Sequence, residues 1–171
     1  MYLRLIILVG IFNWNLVRLL VWPFLILALA AAAMGFFWSR RPDGTIEKLH
    51  RQYKHENPLE LRAAFFFAGI FLLILVITRL AISYMGNRGA YVLGAVIGFA
   101  DVDPFILSMT QAANTTTPLA VGGGAILLAV ASNNMAKGIY AYSFGDRRAG
   151  TQSLIMLALL ALAGLLPLLW L

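Results

Sequence analysis

Residues 89–113 read GAYVLGAVIGFADVDPFILSMTQAA. Their uncharged part, Gly89 to Ala100, is twelve residues long. As a helix it rises about 18 Å, short of the roughly 30 Å hydrocarbon span of a bilayer. Asp101 and Asp103 then interrupt it, Pro104 follows at once, and a second apolar decade comes after. Taken whole, the segment has the length of a crossing with two carboxylates at its middle. A carboxylate at that depth costs from about 3 to more than about 10 kcal/mol, so it is expected to face a bundle interior or a wet cavity. In an unbroken helix, positions i and i+2 lie on nearly opposite faces. Both acids reach one ligand only if the backbone unwinds between them. Pro104 favours that, because it has no N–H to return to an earlier carbonyl. Gly98 relaxes the turn before it. Converging carboxylates and freed carbonyls at a broken helix are a common design for a cation site in transporters.

The rest of the chain sets this segment in a membrane. Of 171 residues, 61% are apolar and 12% charged, with a mean hydropathy of +0.85. A soluble domain is about 45–50% apolar and about 25% charged. A soluble globular enzyme, a disordered tail and a coiled coil are thereby excluded. The expected fold is all-α: one polytopic membrane bundle, 1–171, of about five segments. Residues 1–38 supply N-terminal helices, with 1–16 a partial or interfacial helix because Arg4, Asn13 and Asn15 break the apolar run. Crossings are expected at 17–38, 59–85, 119–144 and 149–171, and the core bundle over 59–171. Thr117 and Pro118 read as N-cap and first residue of one helix, and Asp146 as the N-cap of another.

Residues 39–58 form the long polar segment, SRRPDGTIEKLHRQYKHENP. Eight of the twenty charged residues lie there, five of them Lys or Arg. A juxtamembrane basic loop facing anionic lipid explains them better than nucleic acid does. His50 and His55 are five apart, not the i,i+4 of a helical metal pair, and read as solvated. Six Lys/Arg in 39–62 place that region in the cytoplasm. The Arg147-Arg148 turn prefers the same side. Both hold only if 89–113 enters, breaks at Asp101–Pro104 and returns. The other reading makes 89–113 a true crossing and leaves the arginine pair outside.

Asp101 and Asp103 are the first candidate metal ligands. The bland roles are an N-cap for Asp103 and, for Asp101, a buried salt bridge to Lys137 or Arg79. Asn133 and Asn134 are the second pair. Their carbonyl oxygens are hard ligands, and their amides equally hydrogen-bond across helices. Adjacent positions point about 100° apart, so one is expected to face the acids and the other a neighbouring helix. Lys137 is a built-in counter-cation. Gly94-x-x-x-Gly98 and Gly122-Gly123-Gly124 read as seams of close helix approach, exposed enough to suggest a homodimer. No cysteine is present, so thiolate sites and disulfides are excluded. No H-E-x-x-H, G-x-S-x-G or Ser/His/Asp pattern supports an enzyme, and no cofactor motif occurs.

Three motifs carry a resemblance: Asn57-Pro58-Leu59-Glu60-Leu61-Arg62, Gly98-Phe-Ala-Asp101-Val-Asp103, and Ala125-Ile-Leu-Leu-Ala-Val-Ala-Ser132-Asn133. Together they resemble a bacterial membrane family, the domain of unknown function found C-terminal to MgtC/SapB-type domains. The resemblance implies a connection to divalent cations, Mg²⁺ above all. Members of that family look longer, with an earlier half built around another broken segment. The stretch Met1-Tyr-Leu-Arg4 loosely matches Met135-Ala-Lys137, as an internal repeat would. The chain is therefore expected to hold the second repeat in full and part of the first. The leading expectation is a multi-pass, bacterial inner-membrane protein of transport type that handles a divalent cation. Its rival is a non-transporting regulatory or assembly subunit whose polar core is structural. A small-solute or proton carrier is the third reading.

Overall fold

The computed structural model describes residues 1–39, 61–113 and 115–171. The basic loop and its histidines lie outside the described residues. Among these residues the chain is helical: α1 (Tyr2–Phe12), α2 (Trp14–Ser39), α3 (Leu61–Met85), α4 (Asn87–Ile97), α5 (Val102–Ala112), α6 (Leu119–Phe144), α7 (Arg147–Leu165) and a short 3₁₀ turn, Leu166–Leu169. Four stretches are long and apolar enough to cross a membrane: Trp14–Trp38, Ala68–Met85, Leu119–Phe144 and Arg147–Leu169. This is the set expected of a multi-pass membrane protein, and it falls where the sequence places its crossings. Large apolar side chains cover the outside, among them Phe65, Leu72, Leu159 and Leu162. A solvent of lipid tails makes that arrangement stable.

α6 is the axis of the bundle. Small residues dominate its first half, so neighbours close on it from every side, and two-thirds of its apolar window is buried. Gly122 lies against Ala113, Gly123 against Leu19, and Gly124 against the ring of Tyr91. α7 lies antiparallel beside α6, with Gly138 against Leu154 and Leu157. The corner before α7 is capped as its sequence suggests, the Asp146 carboxylate accepting from the Arg148 N–H at 3.2 Å. The corner before α6 differs. Pro118 takes the N-cap position and the helix starts at Leu119. The Thr117 side chain is thus one residue too early to cap, and its hydroxyl is buried with no partner.

The segment 89–113 is broken into two eleven-residue helices, α4 and α5. α4 runs in the same sense as α6. Tyr91 lies beside Gly124, Gly94 beside Ala125, and Gly98 beside Ala129 and Ser132. α5 runs back, bringing Met109 and Ala113 to Gly122. The two half-helices thus form a hairpin, bent at residues 98–101 about midway along α6. Gly86, with φ +58°, makes the one-residue turn from α3 into α4, a conformation that suits glycine because it has no Cβ.

α1 is a second half-length helix. Its first turn sits at the middle of α6, where the Tyr2 hydroxyl accepts from Asn134 Nδ2 at 2.9 Å. Its far end is tied to α5 by Asn13, whose Nδ2 donates to the carbonyls of Thr110 (3.2 Å) and Ala113 (3.0 Å). Asn13 Oδ1 accepts from the Leu16 N–H at 3.1 Å and so caps α2. The expectation of a partial helix at the N-terminus holds. It is a core element, with Tyr2, Leu5 and Val9 buried.

Candidate functional site

The break between α4 and α5 leaves the Ala95 carbonyl, and the Gly98 and Phe99 carbonyls of the bend, without backbone partners. Side chains of α6 take them. Ser132 Oγ donates to the Ala95 carbonyl at 2.5 Å and Asn133 Nδ2 to the Gly98 carbonyl at 3.0 Å. Tyr140 donates its hydroxyl to the Phe99 carbonyl at 3.4 Å. Three donors along one face of α6 therefore finish the helix that Gly98 ends. Close approach makes this possible. A Cβ on Gly98 would stand 2.5 Å from the Ala129 carbonyl oxygen and 2.6 Å from Ser132 Cβ.

Beyond the break, Asp101 starts α5. Its carboxylate accepts from the Asp103 N–H at 3.1 Å, which satisfies one orphan donor of the first turn and suits the positive end of the helix dipole. The N-cap of the second half-helix is thus Asp101, not Asp103 as the Asp-Pro pairing suggested. Pro104 occupies the first turn, where a missing N–H costs nothing, and the unwinding falls ahead of it, at 98–101. Asp101 is exposed and forms no ion pair with Lys137 or Arg79. Arg79 lies elsewhere, lining a cavity between α3 and α5. Lys137 is exposed, its Nζ 3.6 Å from the Met1 sulfur.

The cation that does meet these acids is Arg4, on α1. Its Nη2 is 2.8 Å from Asp103 Oδ1. The sequence shows Arg4 as an interruption in an apolar run. It does not show that α1 starts at the same depth as α5, because that depends on α1 packing against α2 and α5.

Asn133 and Asn134 divide as the 100° spacing expects. Asn133 faces the break and Asn134 faces α1, both buried. The partner at the break is a backbone carbonyl rather than a carboxylate. One group there is left over: Asn133 Oδ1 is buried and has no hydrogen-bond donor. Among the described residues, no three His, Cys, Asp or Glu side chains come together as a metal cage. The glycine seams are internal to the bundle. Gly94 and Gly98 meet α6, while Gly122, Gly123 and Gly124 meet neighbouring helices of the same chain. They are not the exposed surfaces that suggested a homodimer, so a second copy needs another face.

Residues 1–145 match the family described as "Domain of unknown function (DUF4010)". The chain belongs to this family. It is also similar to an uncharacterised protein of Aquifex aeolicus (strain VF5), 35% identical over 94 residues. That alignment covers 54% of this chain and 41% of the relative, so the match spans under half of that protein's length. No solved structure matches the chain. The DUF4010 match takes in α1 to α6, and hence the whole break and every side chain that caps it.

Proposed function

We propose that this DUF4010 chain is a bacterial inner-membrane protein of transport type whose substrate is a divalent cation, Mg²⁺ first. The observation that carries the proposal is Asn133 Oδ1, an acceptor buried at a helix break with no donor to satisfy it. A buried amide oxygen without a partner costs about 1–3 kcal/mol. A cation, or a water in its shell, relieves that cost. The capped carbonyl of Gly98 keeps a second lone pair, and Asp101 keeps its second carboxylate oxygen. Mg²⁺ retains several waters and needs only one or two carboxylates, so the absence of a three-acid cage among the described residues is consistent with it. The antiparallel pairing of α4 and α5 supports a re-entrant hairpin, which enters beside the start of α6 and leaves from the same end. The Mg²⁺ assignment and the link to MgtC/SapB-type proteins rest on the resemblance drawn from the three sequence motifs.

The rival reading, a non-transporting regulatory subunit, is favoured by one observation. Arg4 already neutralises Asp103 at 2.8 Å, and all three side-chain donors of α6 at the break are engaged in finishing α4. Ion flux into proteoliposomes separates the two, with a metal-titrated thermal shift on wild type, Asp101→Asn and Asn133→Ala alongside. Transport predicts Mg²⁺-dependent stabilisation that both variants lose. Flux at background together with metal-independent melting in all three proteins supports the regulatory reading instead. Flux insensitive to Mg²⁺ identifies a proton or small-solute carrier.

A further inference from the structure

We propose that the cavity between α3 and α5 binds a phosphate-bearing anion, held by Arg79 and Ser108. The cavity has a volume of 530 Å³. It lies toward the end of the bundle where α5 finishes and α6 begins, away from the helix break. Its polar lining is made of Arg79, Ser83, Ser108, Gln111 and hydroxyls of the 115–116 turn. Leu75, Ile82 and Ala112 form its apolar wall. Among its described lining residues none is acidic, so the one formal charge is the guanidinium.

The donors divide into satisfied and free. Thr78 donates to the Ile74 carbonyl at 2.7 Å, and Thr115 to the Ala112 carbonyl at 2.9 Å. These hydroxyls are turned to the backbone. Ser108 is different. It is 4% exposed, it lines the cavity, and among the described residues its hydroxyl has no hydrogen-bond partner. A helical serine usually returns its proton to the carbonyl one turn back, as Thr110 does to Ile106 in the same helix at 2.7 Å. A free hydroxyl on a buried serine and an exposed, unpaired guanidinium lining the same cavity mark a place for a ligand rich in acceptors. Phosphate oxygens fit the planar fork of arginine in bidentate fashion and accept from hydroxyls as well.

The volume exceeds what a bare phosphate fills and lies within the roughly 300–1,000 Å³ of small-molecule sites. A phospholipid headgroup and a soluble phosphate share the chemistry. The first would lay its acyl chains along the apolar face of α3, where Leu72 and Val76 are exposed.

The full chain in mild detergent is titrated with inorganic phosphate, with short-chain phosphatidylglycerol and with zwitterionic short-chain phosphatidylcholine, reading the melting temperature. At least one of the first two should raise it, and Arg79→Gln should weaken the apparent affinity about tenfold. Ser108→Ala should weaken it by a smaller factor. Arg88→Gln, an exposed arginine on α4 outside the cavity, should leave it unchanged. Phosphate acting alone identifies a soluble anion, and phosphatidylglycerol acting without phosphate identifies a lipid. If Arg79→Gln does not fold, Arg79→Lys and Ser108→Ala carry the same test. The proposal is overturned if neither ligand stabilises wild type. It is also overturned if phosphatidylcholine stabilises equally and survives Arg79→Gln, or if Arg88→Gln loses as much as Arg79→Gln. None of these outcomes depends on Mg²⁺ binding at the break.

Discussion

Arg4 and Asp103 are 99 positions apart in sequence and 2.8 Å apart in space. Each lies in the first turn of a half-length helix, and the two helices start at the same depth beside α6. The pair therefore bridges α1 to the far limb of the broken segment. Arg4 is 61% exposed and Asp103 31%. An exposed pair contributes little, about 0.2–1 kcal/mol. Arg4→Gln and Asp103→Asn should each lower the melting temperature slightly, and the double variant should fall short of the sum of the two losses. Strict additivity in a thermal-melt cycle would show that the pair does not couple α1 to α5.

Gly98 and Gly94 should not accept a side chain. A Cβ on Gly94 would stand 2.6 Å from the Ala125 carbonyl oxygen, and one on Gly98 would meet Ala129 at 2.5 Å. Either alanine variant must push α4 off α6 and break the Ser132 and Asn133 caps, at a cost of about 1–3 kcal/mol or more. Gly35→Ala is the control. Nothing lies within 4 Å of its added Cβ, and alanine is the better helix former by about 1 kcal/mol. Thermal melts in one detergent should therefore move in opposite directions for Gly98→Ala and Gly35→Ala.

Asn133 tests the helix break directly. Asn133→Ala removes the donor to Gly98 and the unpartnered oxygen together. The fold should lose about 1–2 kcal/mol. Any Mg²⁺-dependent stabilisation should vanish. Asn134→Ala should cost the fold a similar amount through Tyr2 and leave the metal response in place. Equal metal responses in the two variants would remove Asn133 from the site.

Topology is open to labelling, because the chain has no cysteine to mask the result. Single cysteines at Asn87 and Thr116 should react with an impermeant thiol reagent from the same side of the membrane. A cysteine at Arg147 should react from the other side, as α6 lies between. Opposite labelling of Asn87 and Thr116 would make α4 and α5 one crossing rather than a hairpin.

The sequence by itself determined the membrane class, the positions of the long apolar helices and the existence of a break within 89–113, which it placed at Asp101–Pro104 and the fold places at 98–101. These depend on local quantities: the length of an uncharged run against the bilayer thickness, and its interruption by two carboxylates and a proline. It also separated Asn133 from Asn134, because 100° per residue is a property of one helix. What it left open was every relationship between helices. The Asp-Pro pairing suggested that Asp103 caps, but the cap went to Asp101, since the unwinding begins where Gly98 packs on Ala129 and is over before proline is reached. The sequence offers Lys137 and Arg79 as salt-bridge partners for Asp101 because both are cations within apolar segments. In the fold, Arg79 lines a cavity near the end of the bundle, and Arg4 reaches Asp103 because α1 starts mid-bundle. The glycine seams looked exposed because a sequence does not show which neighbour fills them. Pairing in three dimensions follows from how α4 and α5 stack on α6 and α1 on α2 and α5, and only the tertiary structure decided that.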